Sequence, residues 1–273
     1  MATCKLYLES ECQETYGVKM IIDANVSLGR WPFQRFGQNT PAKLFRHLNS
    51  EGISQALVSS IDAVLYPDPD LYNKILFEQL KPYNSLLPVP VLNPSLAGWH
   101  ERLNYYIGRR KVKAVKIFPN YHHFSLSAQF VEDLMTELTR GKVPLFIQMR
   151  LEDARNRYLL MKIPVVETKG VIGLSKRFPK VPIVCLCPYL HEAVSLVNEA
   201  PNIYVDIAFT ETLNTISSLL VRIPVQRILF GSHTPFCYTR SAIIKVKSAK
   251  ISPREEALIT FGNLQNLVKS LLP

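Results

Sequence analysis

The chain has 273 residues, 47% hydrophobic and 20% charged, with a formal net charge of +10. That is enough apolar material for one large core and argues against wholesale disorder. The positive balance points to anionic partners, but the basic residues are dispersed. The densest cluster, RRKVKAVK (109–116), has no zinc-finger, helix-turn-helix or aromatic RNA-binding pattern beside it, so no nucleic-acid partner is expected.

Residues 1–17, MATCKLYLESECQETYG, are polar and mixed in charge and read as a short N-terminal extension without an apolar signal core. One domain is expected over 18–273. The first strand-like run is VKMIIDANV (18–26). Side chains two apart share a strand face, so Asp23, Asn25 and Ser27 fall on one side and Ala24 and Val26 on the other. Arg30 follows at the first loop, and Trp31, Phe33 and Phe36 read as an aromatic wall or as core. A strand at SQALVSS (54–60), a helix over 70–80, a strand at LLPVPVL (86–92) and a helix over 99–107 come next.

In the strand AVKIFP (114–119), Lys116 stands between Val115 and Ile117, where a charge needs a reason to be buried. It can meet a substrate carboxylate, be salt-bridged within the fold, or snorkel outward. His122 and His123 follow, and an extended chain lets only one of them face a site. The stretch 128–141 places Phe130, Leu134 and Leu138 along one helical face and ends in glycine. In PLFIQM (144–149) and beyond, Phe146, Gln148 and Arg150 share a face, followed by Glu152 and Asp153. In PIVCLC (182–187), Cys185 and Cys187 share one. NIYVDI (202–207) and RILFGS (227–232) complete the strands, and His233 follows immediately. The closing helix opens on Ser252-Pro253-Arg254-Glu255, a capping box with proline at the first helical position.

About eight short apolar strands, each followed by a helix or a helix-sized connection, predict an α/β fold: a single (β/α)8 TIM-type barrel. An open doubly wound sheet is the alternative, but no GxGxxG follows the first strand. Active sites of such barrels lie at the C-terminal strand ends. Asn25, Ser27, Gln148, Arg150, Cys187 and His233 can therefore gather at one mouth although scattered in sequence. No apolar run reaches the ~18–20 residues of a membrane span. The five cysteines are widely spread and lack zinc-finger spacing, which fits reduced thiols. The reading is a cytoplasmic protein without membrane contact, with a homo-oligomer left open.

Four motifs in order resemble the amidohydrolase superfamily, specifically the amidohydrolase-2 group of aminocarboxymuconate-semialdehyde-type decarboxylases and pyrone dicarboxylate lactonases. They are MIIDANVSLG (20–29), AVKIFPNYHHFSL (114–126), ILFGSHTPF (228–236) and EEALITFGNLQNLV (255–268). The resemblance implies the barrel and a hydrolase or decarboxylase activity. It also implies metal ligands at positions that here read Asn25, Ser27, Gln148, Cys187 and His233. Neutral amides and hydroxyls are poor zinc ligands. No cofactor is therefore expected, and a divalent metal such as zinc is disfavoured, with His122, His233 and Cys187 as the fallback set.

The leading functional expectation is a metal-independent hydrolase of a small carboxylated ester or lactone. Arg30, Lys116 and Arg150 would hold the anion. Ser27, His122, Gln148 and Cys187 would line the site. His233, Asp153 and Asn25 would manage water and proton transfer. The alternative is a catalytically inactive barrel that binds a small anion or serves an assembly. A decarboxylase, or a metal-dependent hydrolase with atypical ligands, ranks below both.

Overall fold

A computed structural model describes residues 20–66, 68–153 and 163–268. The proposed extension, 1–17, lies outside these residues. Among the described residues there are nine parallel strands: β1 (Ile22–Leu28), β2 (Gln55–Ser60), β3 (Leu86–Pro88), β4 (Val91–Leu92), β5 (Val115–Ile117), β6 (Leu145–Gln148), β7 (Ile183–Leu186), β8 (Ile203–Asp206) and β9 (Ile228–Leu229). Continuous ladders join β1-β2-β3 and β4 through β9 in sequence order.

The two ladders close into one cylinder. β3 and β4 are a single stave interrupted at Val89-Pro90, because proline has no N–H to give a ladder. Val89 N still reaches Val58 O at 2.8 Å, and Lys116 N reaches Pro90 O at 3.0 Å. At the other seam Ala24 N donates to Phe230 O (2.9 Å) and Ser27 N to Thr234 O (2.8 Å), with a parallel bridge between Val26 and Thr234. Eight staves result, which is the TIM-type barrel the sequence predicts.

Strand alternation divides the core into two layers. Ile22, Leu57, Ala114, Phe146, Val184, Leu186 and Leu229 pack inside the cylinder, closed at its N-terminal end by Leu264 and Val268. Val115, Ile117, Leu145, Ile147, Ile183, Val205 and Ile228 face the surrounding helices. The staves are therefore largely apolar on both faces, with Asp23 on β1 and Lys116 on β5 as polar exceptions, as parallel strands between a packed lumen and helices should be. The helix Gln129–Gly141 lies where its periodicity predicts, burying Val131, Leu134, Met135 and Leu138.

The closing helix departs from expectation. Its capping box forms, with Ser252 Oγ accepting from Glu255 N. It then runs as a short α-turn (Pro253–Ala257), a π-turn (Leu258–Gly262) and a second α-segment (Asn263–Val268). Asn263 lies at the junction and donates to Val225 O and Ile228 O at 2.7 and 2.8 Å, tying the helix to β9.

Candidate active site

The rim at the C-terminal strand ends is built from side chains brought together from across the chain. On β1 the pairing register slips between Asp23 and Val26, so β1 carries an extra residue against β2. Asp23 stabilises this bulge, since its Oδ1 accepts from Asn25 N and from Ser232 N, each at 3.0 Å. The three polar residues of β1 therefore do not share one role. Asp23 turns to the β1–β9 seam, whereas Asn25 enters the lumen. Ser27 is buried beyond it.

Asn25 is central. Its Nδ2 donates to Asp206 Oδ2 (2.8 Å) and to Cys187 Sγ (3.3 Å), and its Oδ1 accepts from Lys116 Nζ (3.4 Å). Lys116 does not snorkel. With Val115 and Ile117 facing the helices, it points inward and is 2% exposed. Its ammonium meets Ser59 Oγ at 3.2 Å and lies 5.1 Å above the Phe118 ring. Among the described residues no carboxylate comes within ion-pair distance of it; Asp206 and Asp23 attract it only from farther off. Burial lowers the Lys116 pKa from 10.5 to about 8, against the pull of Cys187, Asp206 and Asp23.

Asp206, at the end of β8, was not singled out from sequence. It accepts from Cys187 N (2.8 Å), from Ala208 N (3.4 Å) and from Asn25. Burial still raises its pKa to about 6, and that of Asp23 to about 7. The neighbouring position must be glycine: a Cβ on Gly231 would fall 2.7 Å from Asp206 Cβ and 2.8 Å from its Oδ2. Ser59 was likewise missed. In both cases the available signal was alternation, since Ser59 follows Leu57 and Asp206 follows Tyr204 on the lumen side.

Cys185 and Cys187 were expected on one face, but they separate. Cys185 packs in the outer layer, while the backbone at Cys187 turns left-handed (φ 59°) and swings its sulfur into the mouth. Burial raises the thiol pKa well above its usual value, so it serves there as a neutral acceptor. Gln148 Nε2 also donates to this sulfur (3.2 Å) and to Arg150 O (2.6 Å). Arg150 is held by Glu192 in a two-point ion pair (Nη1–Oε2 2.7 Å), gives a further hydrogen bond to Cys187 O (2.6 Å), and stacks 4.0 Å from the Tyr189 ring. Glu192 simultaneously caps its own helix through Tyr189 N at 2.7 Å.

His233 follows β9 in a left-handed conformation (φ 58°) and is fully buried. Its Nε2 lies 2.7 Å from Leu151 O, and a carbonyl can only accept, so Nε2 carries the proton and Nδ1 is a bare lone pair. The ring stacks on Phe236, with centroids 4.8 Å apart and planes at 10°. Burial drives its pKa to about 3, so it is a neutral imidazole rather than a group titrating near 6.5. Left-handed backbone in two non-glycine residues of one site is strain of the kind that collects at functional centres.

The remaining candidates lie farther out. Arg30 is exposed on the first loop beside Asp62. His122 is half-buried, with Nε2 3.3 Å from Ala63 O and its pKa lowered to about 4 by burial; His123 is exposed. Asp153 accepts from Tyr189 OH at 3.4 Å. Trp31 joins Phe36, Phe118 and Leu151 in a buried cluster over the mouth, packed against Tyr121 and Phe236, while Phe33 is exposed; Glu152 accepts from Trp31 Nε1 (3.1 Å).

The architecture has clear counterparts among solved structures. A Staphylococcus aureus protein assigned to the amidohydrolases superposes with a TM-score of 0.72 at 11% identity, over 92% of this chain and 100% of its own. The chain shares this barrel fold. Dihydroxybenzoic acid decarboxylase of Polaromonas sp. JS666 (TM-score 0.71, 15% identity, 91% and 96% covered) was crystallised with bound manganese and the inhibitor 2-nitroresorcinol. A 5-carboxyvanillate decarboxylase of Novosphingobium aromaticivorans (0.71, 11%, 92% and 97%) also holds manganese. No protein-family model matches the sequence, and no curated protein matches it either.

These neighbours correct the expectation that no metal or other cofactor belongs to this barrel, because manganese is bound in two of them. The rim of this chain does not offer such an ion a ready seat. Among the described residues no three His, Cys, Asp or Glu side chains converge as a metal site. Asn25 turns its amino group to Asp206 and Cys187, its carbonyl oxygen already faces the Lys116 cation, and Cys187 keeps its proton. The residues present there do not fit the metal. As for membranes, no described helix is long and apolar enough to cross one.

Proposed function

We propose that the barrel is a small-molecule enzyme acting on a carboxylated substrate, and that Lys116 receives the substrate's anionic group. The observation that carries this reading is the Lys116 ammonium, buried at the active-site end of the barrel with only neutral partners in contact. A buried charge without a counter-charge is costly and is retained for use. The reaction favoured is hydrolysis of a carboxylated ester or lactone. Asp206, raised to about 6, is suited to take and return a proton near neutral pH, where general bases work best. Gln148, Cys187 and His233 are further buried polar side chains gathered at the same end of the barrel. Decarboxylation is a second reading, favoured by the two decarboxylases with the same fold.

The test is a turnover screen of the purified chain against carboxylated esters, lactones and aromatic carboxylates, with and without added manganese. Activity toward carboxylated compounds that disappears in a folded Lys116→Met variant supports the proposal. Equal activity in that variant, or turnover of uncharged analogues only, rejects it.

A further inference from the structure

The N-terminal end of the barrel, opposite the candidate site, gathers positive charge that is scattered along the sequence. Three turns lead into β5, β6 and β7: RRKVK (109–113), RGKVP (140–144) and RFPKVP (177–182). Together they hold eight Lys and Arg and no Asp or Glu, against a net charge of +10 for the whole chain. The turns are neighbours. Val115 N donates to Pro144 O and Leu145 N to Pro182 O, at 3.2 and 3.0 Å, so their ends lie one strand spacing apart, about 4.8 Å.

Each turn repeats one device. Val112, Val143 and Val181 are buried in the outer core layer, and the lysine before each, Lys111, Lys142 and Lys180, is exposed. Three of the arginines are satisfied within the fold: Arg110 by Glu78, Arg140 by Glu137 and Arg177 by Glu132. Among the described residues no carboxylate comes within ion-pair distance of Arg109, Lys111, Lys142 or Lys180. Lys111 and Lys142 also hold left-handed backbone (φ 51° and 53°), where glycine or asparagine is the ordinary choice. Attraction to a helix C-terminus accounts for Lys142, which follows Gly141. It fades within the last turn and does not account for Lys180, which lies beyond the end of its helix at Arg177.

We infer that this end of the barrel adsorbs to an anionic membrane surface through phospholipid headgroups. Four unpaired cations at one end of a cylinder match a plane of negative charge. Other polyanions fit less well. No exposed aromatic side chain stands in the three turns to stack on a base. Apart from Pro179, no exposed apolar side chain there offers the centre that a protein interface requires. Headgroup adsorption needs neither of these, nor a spanning segment. It leaves the opposite end, with Lys116, turned toward solution.

Co-sedimentation of the full chain with lipid vesicles tests this. Each cation near such a surface strengthens binding about fivefold, so four give roughly 500-fold. Vesicles of phosphatidylcholine with phosphatidylserine should carry the chain down, vesicles of phosphatidylcholine alone should not, and high salt should release it. Lys142→Gln combined with Lys180→Gln should weaken binding about 25-fold. Lys43 and Lys169 are exposed in the first turns of Pro41–Ser50 and Thr168–Arg177, at the mouth end. Lys43→Gln combined with Lys169→Gln removes the same charge and should change binding by less than about twofold. Equal losses in the two double variants overturn the inference, because net charge alone would then explain binding. So does failure to bind the phosphatidylserine vesicles, or tighter binding to duplex DNA than to those vesicles at the same salt.

Discussion

Replacing Lys116 by methionine should make the ligand-free protein more stable. Methionine keeps the unbranched stem and removes only the charged tip. The fall in pKa from 10.5 to about 8 is a factor of roughly 300 in proton affinity, or about 3 kcal/mol against the charged form in the fold. The bonds to Ser59 and Asn25 return about 0.5–1.5 kcal/mol each, so the net gain at pH 7 is about 0–2 kcal/mol. Because the folded pKa lies below the unfolded one, the penalty is complete below about pH 8 and fades toward pH 10.5. The advantage of the variant should shrink across that window. Urea unfolding of both proteins at pH 7, 8, 9 and 10 reads it directly. A variant less stable by 2 kcal/mol or more at pH 7 would mean that the ammonium is ion-paired in the fold, and the reasoning fails.

Asp23→Asn should stabilise at pH 8 by up to about 4 kcal/mol, since a carboxyl raised from 3.8 to about 7 loses stability as pH rises through that interval; the gap to the parent should close as pH falls toward 4 in the same unfolding assay. Arg150→Met strands the Glu192 carboxylate in the interior and should cost about 3–5 kcal/mol by denaturant titration, more than a solvent-exposed pair such as Lys176–Glu199 could. Gly231→Ala drives a methyl into Asp206 and should lower stability by about 1–3 kcal/mol and reduce any turnover, measured by thermal melting and by the substrate screen.

The staves were legible because a parallel strand buried on both faces reads as a short run of Val, Ile, Leu and Phe, and the capping box of the closing helix was visible as Ser-Pro-Arg-Glu. Alternation also put Gln148 on the face of Phe146, whereas the direction of Lys116 stayed open in the sequence. It failed where the backbone leaves the strand: the bulge separates Asp23 from Asn25, and the left-handed turn at Cys187 rotates its side chain to the other face. The partner of Arg150 was hidden for a different reason. Glu192 lies 42 residues away on another helix, and no local pattern announces a contact between elements. Asp206 and Ser59 were passed over because a lone polar residue at a strand end looks like an ordinary cap; only the closed barrel turns them toward Lys116.

The most direct measurement is the affinity of a small carboxylate such as malate as a function of pH between 6 and 10, in the parent chain and in Lys116→Met. If the buried ammonium receives the anion, affinity falls by about tenfold per unit once pH passes about 8, and the variant does not bind. An affinity that is flat to pH 10, or that survives in the variant, contradicts the account.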